Sequence, residues 1–262
     1  MKRSMCILLS AVLLGAPLIG HAETSQEKGL AIASEMKSRN IGWGDSQSDL
    51  VMTLRTKKGQ EVVRQMRSKS LEVQGDGDKG LTIFDTPLDV KGTAFLSFSH
   101  ISGGDDQWLY LPALKRVKRI ASRNKSGPFL GSEFAFEDLS SFEVEKYTYN
   151  FLRDDSVNGI DVFVVENRPI DKYSGYTRTE AWIDKEHYRV QKIVYFDRRD
   201  TLLKTLTVEG YKLYKDKYWR SDGRKMVNHK TGKSTDLKVN NLTFDVGLSG
   251  DDFNENRLQR AR

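Results

Sequence analysis

From Asp45 to Phe244 the chain alternates polar and apolar residues with a period of two, in runs separated by short turns rather than by helices. Leu50, Met52 and Leu54 interleave with Val51, Thr53 and Arg55, and Lys57-Lys58-Gly59 then turns the chain into the alternating run Val62 to Val73. Further runs are read at Leu81 to Phe84, Thr93 to His100, Trp108 to Leu111, Lys115 to Ile120 and Phe142 to Arg153. Asn158-Gly159 is a strong hairpin signal, after which runs follow to Phe244 with short turns between them. About eleven or twelve strands joined in this way make an antiparallel meander, and so long a meander must curve to bury an apolar face. The expected fold is mainly β: a curved, unclosed antiparallel barrel with an N-terminal helix and short helices over its concave face.

The helix is expected just before the first strand. Thr24 and Glu27 form a capping box, Leu30, Ala33 and Met36 mark one apolar face, and Asn40 and Gly42 end it. Residues Ser249 to Leu258 are expected to form a terminal helix. Gly75 to Gly80 resembles a calcium loop only superficially, because glycine stands at one ligand position and Pro87 where a bidentate glutamate is needed.

Residues 1–22 have the physics of a signal peptide. Lys2 and Arg3 precede an apolar run that is too short to span a bilayer, and Gly20-His21-Ala22 provides small residues for cleavage after Ala22. The remaining chain, 23–262, is read as one exported domain. Its single cysteine, Cys6, leaves with the signal, so the core must hold the fold without a disulfide. Two of the six net positive charges leave as well; the rest are interspersed with acids, which argues against nucleic acid as a partner.

One connection breaks the pattern. Between Trp108 and Tyr147, six basic residues (Lys115, Arg116, Lys118, Arg119, Arg123 and Lys125) are followed by Glu133, Glu137, Asp138, Glu143 and Glu145. Where the sign changes lies a knot with Gly127-Pro128 and Gly131, in which Phe129, Leu130, Phe134, Phe136 and Leu139 are too apolar for a loop free in water. The knot must fold back onto the sheet.

Familiar catalytic patterns are missing. His100, His187 and His229 have no metal-ligand spacing, no serine sits in a glycine elbow, and no glycine-rich phosphate loop precedes a helix. Neither a metal nor a cofactor is expected. Glu133, Glu137 and Asp138 leave a weak hydrolase hypothesis, since paired carboxylates can act as acid and base on a glycosidic bond.

The run Trp108 to Ile120, followed by Phe129-Leu130-Gly131-Ser132-Glu133-Phe134-Ala135-Phe136-Glu137-Asp138-Leu139, resembles the LolA-like outer-membrane lipoprotein-sorting proteins. Ala181-Trp182-Ile183-Asp184 and Tyr195-Phe196-Asp197 fit the same pattern. The resemblance implies an unclosed barrel with an apolar cavity for acyl chains, and a periplasmic, non-enzymatic and monomeric carrier of lipids or lipoproteins. Phe129, Phe134, Phe136 and Leu139 are the first candidates for the acyl-chain lining or lid, with Trp108, Tyr110 and Trp182 as second choices. The alternative is an accessory subunit docking on an inner-membrane transporter of the resistance-nodulation-division type through Lys115, Arg116, Lys118, Arg119 and Arg123.

Overall fold

A computed structural model describes residues 23–260; the expected signal segment lies outside the described residues. The first element is helix α1 (Ser25–Ser38). The Thr24 side chain accepts the Glu27 backbone N–H, and the Glu27 carboxylate accepts the Thr24 N–H at 2.8 Å, completing the capping box.

The strands are β1 (Asp45–Arg55), β2 (Glu61–Leu71), β3 (Lys79–Thr86), β4 (Ala94–Phe98), β5 (Asp106–Leu111), β6 (Arg116–Arg119) and β7 (Tyr147–Val157). They continue as β8 (Ile160–Pro169), β9 (Tyr176–Asp184), β10 (Val190–Asp197), β11 (Leu202–Tyr214), β12 (Tyr218–Asn228) and β13 (Ser234–Phe244). All thirteen form one antiparallel sheet, one or two more than the turn signals count. Asn158 and Gly159 both take positive φ between β7 and β8, as a two-residue hairpin requires.

The order β6-β5-β4-β3-β2-β1-β13-β12-β11-β10-β9-β8-β7 leaves β6 and β7 as free edges. The sheet therefore curves without closing, and the connection 120–146 links its two edges. Its aromatic knot packs on the inner face.

Alternation assigns the faces. Met52, Met66, Phe84, Phe95, Leu206, Met226 and Leu237 point inward and meet Phe129 and Phe134 of the knot. Ile32 and Ala33 of α1 pack on the same inner face against Tyr149, Val165, Ala181 and Ile183. On the outer face, Leu81, Ile83, Ala94 and Leu96 are covered by Phe253 and Leu258. These last two residues belong to a segment expected to be one helix. It instead forms two 3₁₀ pieces, Gly250–Asp252 and Glu255–Arg260, which turn Phe253 and Leu258 onto the sheet.

Among the described residues, no helix is long and apolar enough to cross a membrane.

Candidate ligand cavity

The knot is fastened by polar residues that the sheet turns inward. Arg64 on β2 donates to the Leu130 carbonyl at 2.7 Å, and Gln107 on β5 donates to the Phe136 carbonyl at 2.8 Å. Lys204 on β11 pairs with Asp138 at 2.6 Å and donates to the Glu133 carbonyl at 3.0 Å. Asn228 donates to the Glu133 carboxylate at 2.7 Å, and the Thr235 hydroxyl accepts the Glu133 N–H at 3.0 Å. A buried polar group is costly unless bonded, so these inward polar residues specify one seat for the knot. The knot is a clamped plug.

Between the plug and β7 to β10 there remains a cavity of about 640 Å³, within the range of small-molecule sites. Its apolar wall comes from Phe142, Tyr147 at the start of β7, Tyr176 at the start of β9, and Ile193 and Tyr195 on β10. Phe142 stacks on Tyr147 with ring centroids 5.7 Å apart, and Tyr176 leans on Tyr195 at 4.9 Å. Burial pushes the phenols of Tyr147, Tyr176 and Tyr195 up, so they stay neutral and the wall carries no phenolate. Ile170 and Tyr173 of the β8–β9 loop line the cavity and are also exposed to solvent.

Three of the carboxylates that line the cavity, Asp105, Glu137 and Asp138, are committed to the scaffold. Asp138 accepts the Tyr176 hydroxyl at 2.8 Å and the Ala135 N–H at 2.7 Å, besides pairing with Lys204. Glu137 accepts the Ser174 hydroxyl at 2.8 Å and the Gly175 N–H at 2.9 Å, and burial raises its pKa. Lys125 donates to the Asp105 carbonyl, while Lys146 pairs with the Asp105 carboxylate. Each of Glu133, Glu137 and Asp138 thus ties one segment to another.

The residues singled out in the sequence fall in three places. Phe129, Phe134, Phe136 and Leu139 come together in the plug, where Phe129 lies 5.1 Å from Phe95 and 5.5 Å from Phe136; they pack behind the cavity wall. Trp108 and Tyr110 sit on the outer face near Phe253, and Trp182 lies on the outer face with Val162 and Val164, its indole N–H donating to Asp155 at 2.9 Å. These three indole and phenol rings are apart from the cavity. Lys115, Arg116, Lys118, Arg119 and Arg123 are all exposed on or beside edge strand β6, where Arg119 pairs with Asp106.

Tyr147, Tyr176, Ile193 and Tyr195 were not picked out by sequence reasoning. Two signals touched them: the alternating run Phe142 to Arg153, in which Tyr147, Tyr149 and Phe151 share one face toward α1 and the cavity, and the Tyr195-Phe196-Asp197 piece of the resemblance.

Among curated proteins nothing matches. A family model whose description reads "Uncharacterized protein" matches residues 76–260. Solved structures are much closer. A Vibrio parahaemolyticus protein, provisionally described as an outer membrane lipoprotein-sorting protein domain, is 61% identical, with 90% of this chain and 100% of that one covered and a TM-score of 0.88. A DUF1329 family protein from Desulfovibrio piger is 29% identical over 90% of this chain and 99% of its own, with a TM-score of 0.85. A LolA superfamily protein from Nitrosomonas europaea, 20% identical over 89% and 98% of the two chains, shares the fold with a TM-score of 0.68. The chain belongs to the same family as the Vibrio parahaemolyticus protein described as an outer membrane lipoprotein-sorting protein domain, and it shares its fold with the DUF1329 and LolA superfamily proteins.

Proposed function

We propose that the protein is a periplasmic carrier that shelters the acyl chains of a lipid or lipoprotein in the cavity between plug and sheet. The observation that carries this reading is a cavity of about 640 Å³ walled by Phe142, Tyr147, Tyr176, Ile193 and Tyr195 beside the unclosed edges of the sheet. The Vibrio relative's description as a lipoprotein-sorting domain agrees with it.

No covalent step is needed. Each CH₂ group taken from water into the cavity contributes about 0.8 kcal/mol. The neutral hydroxyls of Tyr147 and Tyr195 can bond a carbonyl of an ester or amide linkage without placing a charge against the chain, while that of Tyr176 is held by Asp138. Phe129, Phe134, Phe136 and Leu139 form the packed wall behind the ligand, and the monomer is the functional unit.

The test is native mass spectrometry of the protein purified from periplasm without detergent, followed by organic extraction. A discrete acyl-bearing adduct supports the carrier. A ligand-free mass, together with no uptake of offered lipid, counts against it.

A second reading rests on edge strand β6. Arg116, Lys118 and Arg123 are exposed on or just beyond an unpaired edge, where a partner strand or an acidic surface of a membrane transporter has access. Charge reversal at Arg116 and Lys118 that abolishes capture of such a transporter, with lipid uptake intact, would make docking a separate role.

A further inference from the structure

In an antiparallel meander, successive turns fall alternately on the two opposite rims of the sheet. Here the two rims differ sharply in charge. One rim consists of the turns 56–60, 87–93, 112–115, 170–175, 198–201 and 229–233, which together carry nine Lys and Arg residues against three Asp. The hairpin turns of the other rim, 72–78, 99–105, 158–159, 185–189 and 215–217, carry four basic and six acidic residues. A uniformly basic protein would show no such contrast.

Neighbouring turns of the basic rim touch one another in two groups. Gly92 lies against Pro112, Gly232 against Lys57, Lys230 pairs with Asp197, and Arg198 donates to the Tyr173 and Ser174 carbonyls. Every Lys and Arg on it is exposed.

The same rim carries bare apolar tips. Leu88 is 88% exposed, Ile170 64% and Leu114 52%, and these are the three most exposed large apolar side chains among the described residues. Each stands in a turn with, or next to, a lysine: Lys91, Lys172 and Lys115 respectively. A basic ring attracts anionic headgroups, and apolar tips between the charges gain by entering the headgroup boundary. An acidic protein surface would satisfy the charges but would leave Leu88 and Ile170 in water.

We propose that this rim docks on the surface of an anionic phospholipid bilayer, with Leu88, Leu114 and Ile170 inserted at the interface and the surrounding Lys and Arg residues over the headgroups. The inference does not depend on what the cavity holds. It goes beyond a carrier free in solution: the chain is held at a membrane surface by its rim, with Ile170 and Tyr173 belonging to both the rim and the cavity wall.

The test is co-sedimentation of the purified protein with two kinds of vesicle: phosphatidylcholine alone, and phosphatidylethanolamine with one quarter phosphatidylglycerol. Binding is expected to the anionic vesicles only and to weaken as salt rises. Lys57→Glu with Lys58→Glu, and independently Lys91→Glu with Lys115→Glu, each weaken it by at least about tenfold. Leu88→Ser with Ile170→Ser weakens it at fixed charge, whereas Lys215→Glu with Lys217→Glu on the opposite rim leaves it unchanged. Failure to sediment with anionic vesicles overturns the proposal and leaves the rim to an acidic protein. Equal loss from both rims overturns it too, because the attraction would then follow net charge alone.

Discussion

Lys204 and Asp138 meet at 2.6 Å inside the curved sheet, each side chain only 4% exposed. Lys204 stands on the inner face of β11 and Asp138 in the connection between the sheet's two free edges. This ion pair is one of the clamps on the plug, and through the Tyr176 hydroxyl on Asp138 it also reaches a wall of the cavity.

Replacing Lys204 by Met leaves a buried carboxylate without its cation, which costs about 3 to 5 kcal/mol. Lys204→Met combined with Asp138→Asn removes the stranded charge and recovers part of that loss. Urea unfolding of the two variants and the parent checks the order. A double variant no more stable than the single one would show that the ion pair is not what seats the plug.

Asp78 sets a pH dependence. Burial raises its carboxyl from 3.8 to about 6, with Glu143 and Glu72 adding repulsion and Lys37 partly offsetting it. The folded state thus holds this proton where the unfolded chain has released it, and the contribution of Asp78 to stability falls as pH rises from about 4 to about 6. Asp78→Asn removes that fall. The variant should match the parent near pH 4 and exceed it above pH 6 by on the order of 2 kcal/mol, as read from denaturant unfolding at the two pH values.

Gly29 is where α1 meets the sheet. A Cβ there would stand 2.8 Å from the Phe151 nitrogen and 3.0 Å from backbone atoms of Asn150. In a free helix, Gly to Ala gains about 1 kcal/mol. Here the backbone of β7 cannot give way, so Gly29→Ala should instead cost about 1 to 3 kcal/mol and lower the thermal midpoint. A raised midpoint would mean that α1 sits loosely.

The cavity wall and the plug should separate in their effects. Ile193→Asp places a carboxylate in the apolar wall and should weaken acyl-chain binding by at least about tenfold, measured with a fluorescent fatty acid. Phe134→Ala empties a packed site in the plug and should cost about 3 to 5 kcal/mol of stability before any effect on binding is read. Equal binding by folded Ile193→Asp would remove β10 from the site.

The elements were legible because their signals are local. The capping box of Thr24 and Glu27, the Asn158-Gly159 turn and the alternation of Leu50, Met52 and Leu54 each act within a few residues, and each stands in the structure as read. The cavity was not legible because it is assembled from positions far apart: Tyr147, Tyr176 and Tyr195 meet only once the strand order is known. Trp108, Tyr110 and Trp182 look like lining residues by type, yet alternation says only that they share a face, not which face is enclosed. The outer face has apolar cover of its own, from Phe253 and Leu258 over β3 and β4, so a large aromatic there has a second place to pack. The plug could be recognised by its apolar composition, but the inward Arg64, Gln107 and Lys204 that clamp it could not, since in sequence they read as ordinary strand polar residues.

The most direct measurement is photocross-linking with a diazirine-bearing fatty acid, followed by peptide mapping of the labelled protein. Labels on Phe142, Tyr147, Tyr176, Ile193 or Tyr195, competed away by unlabelled lipid, are the expected result. Labels confined to the outer-face residues Trp108, Tyr110 and Trp182, or no competable label at all, would contradict acyl-chain carriage in this cavity.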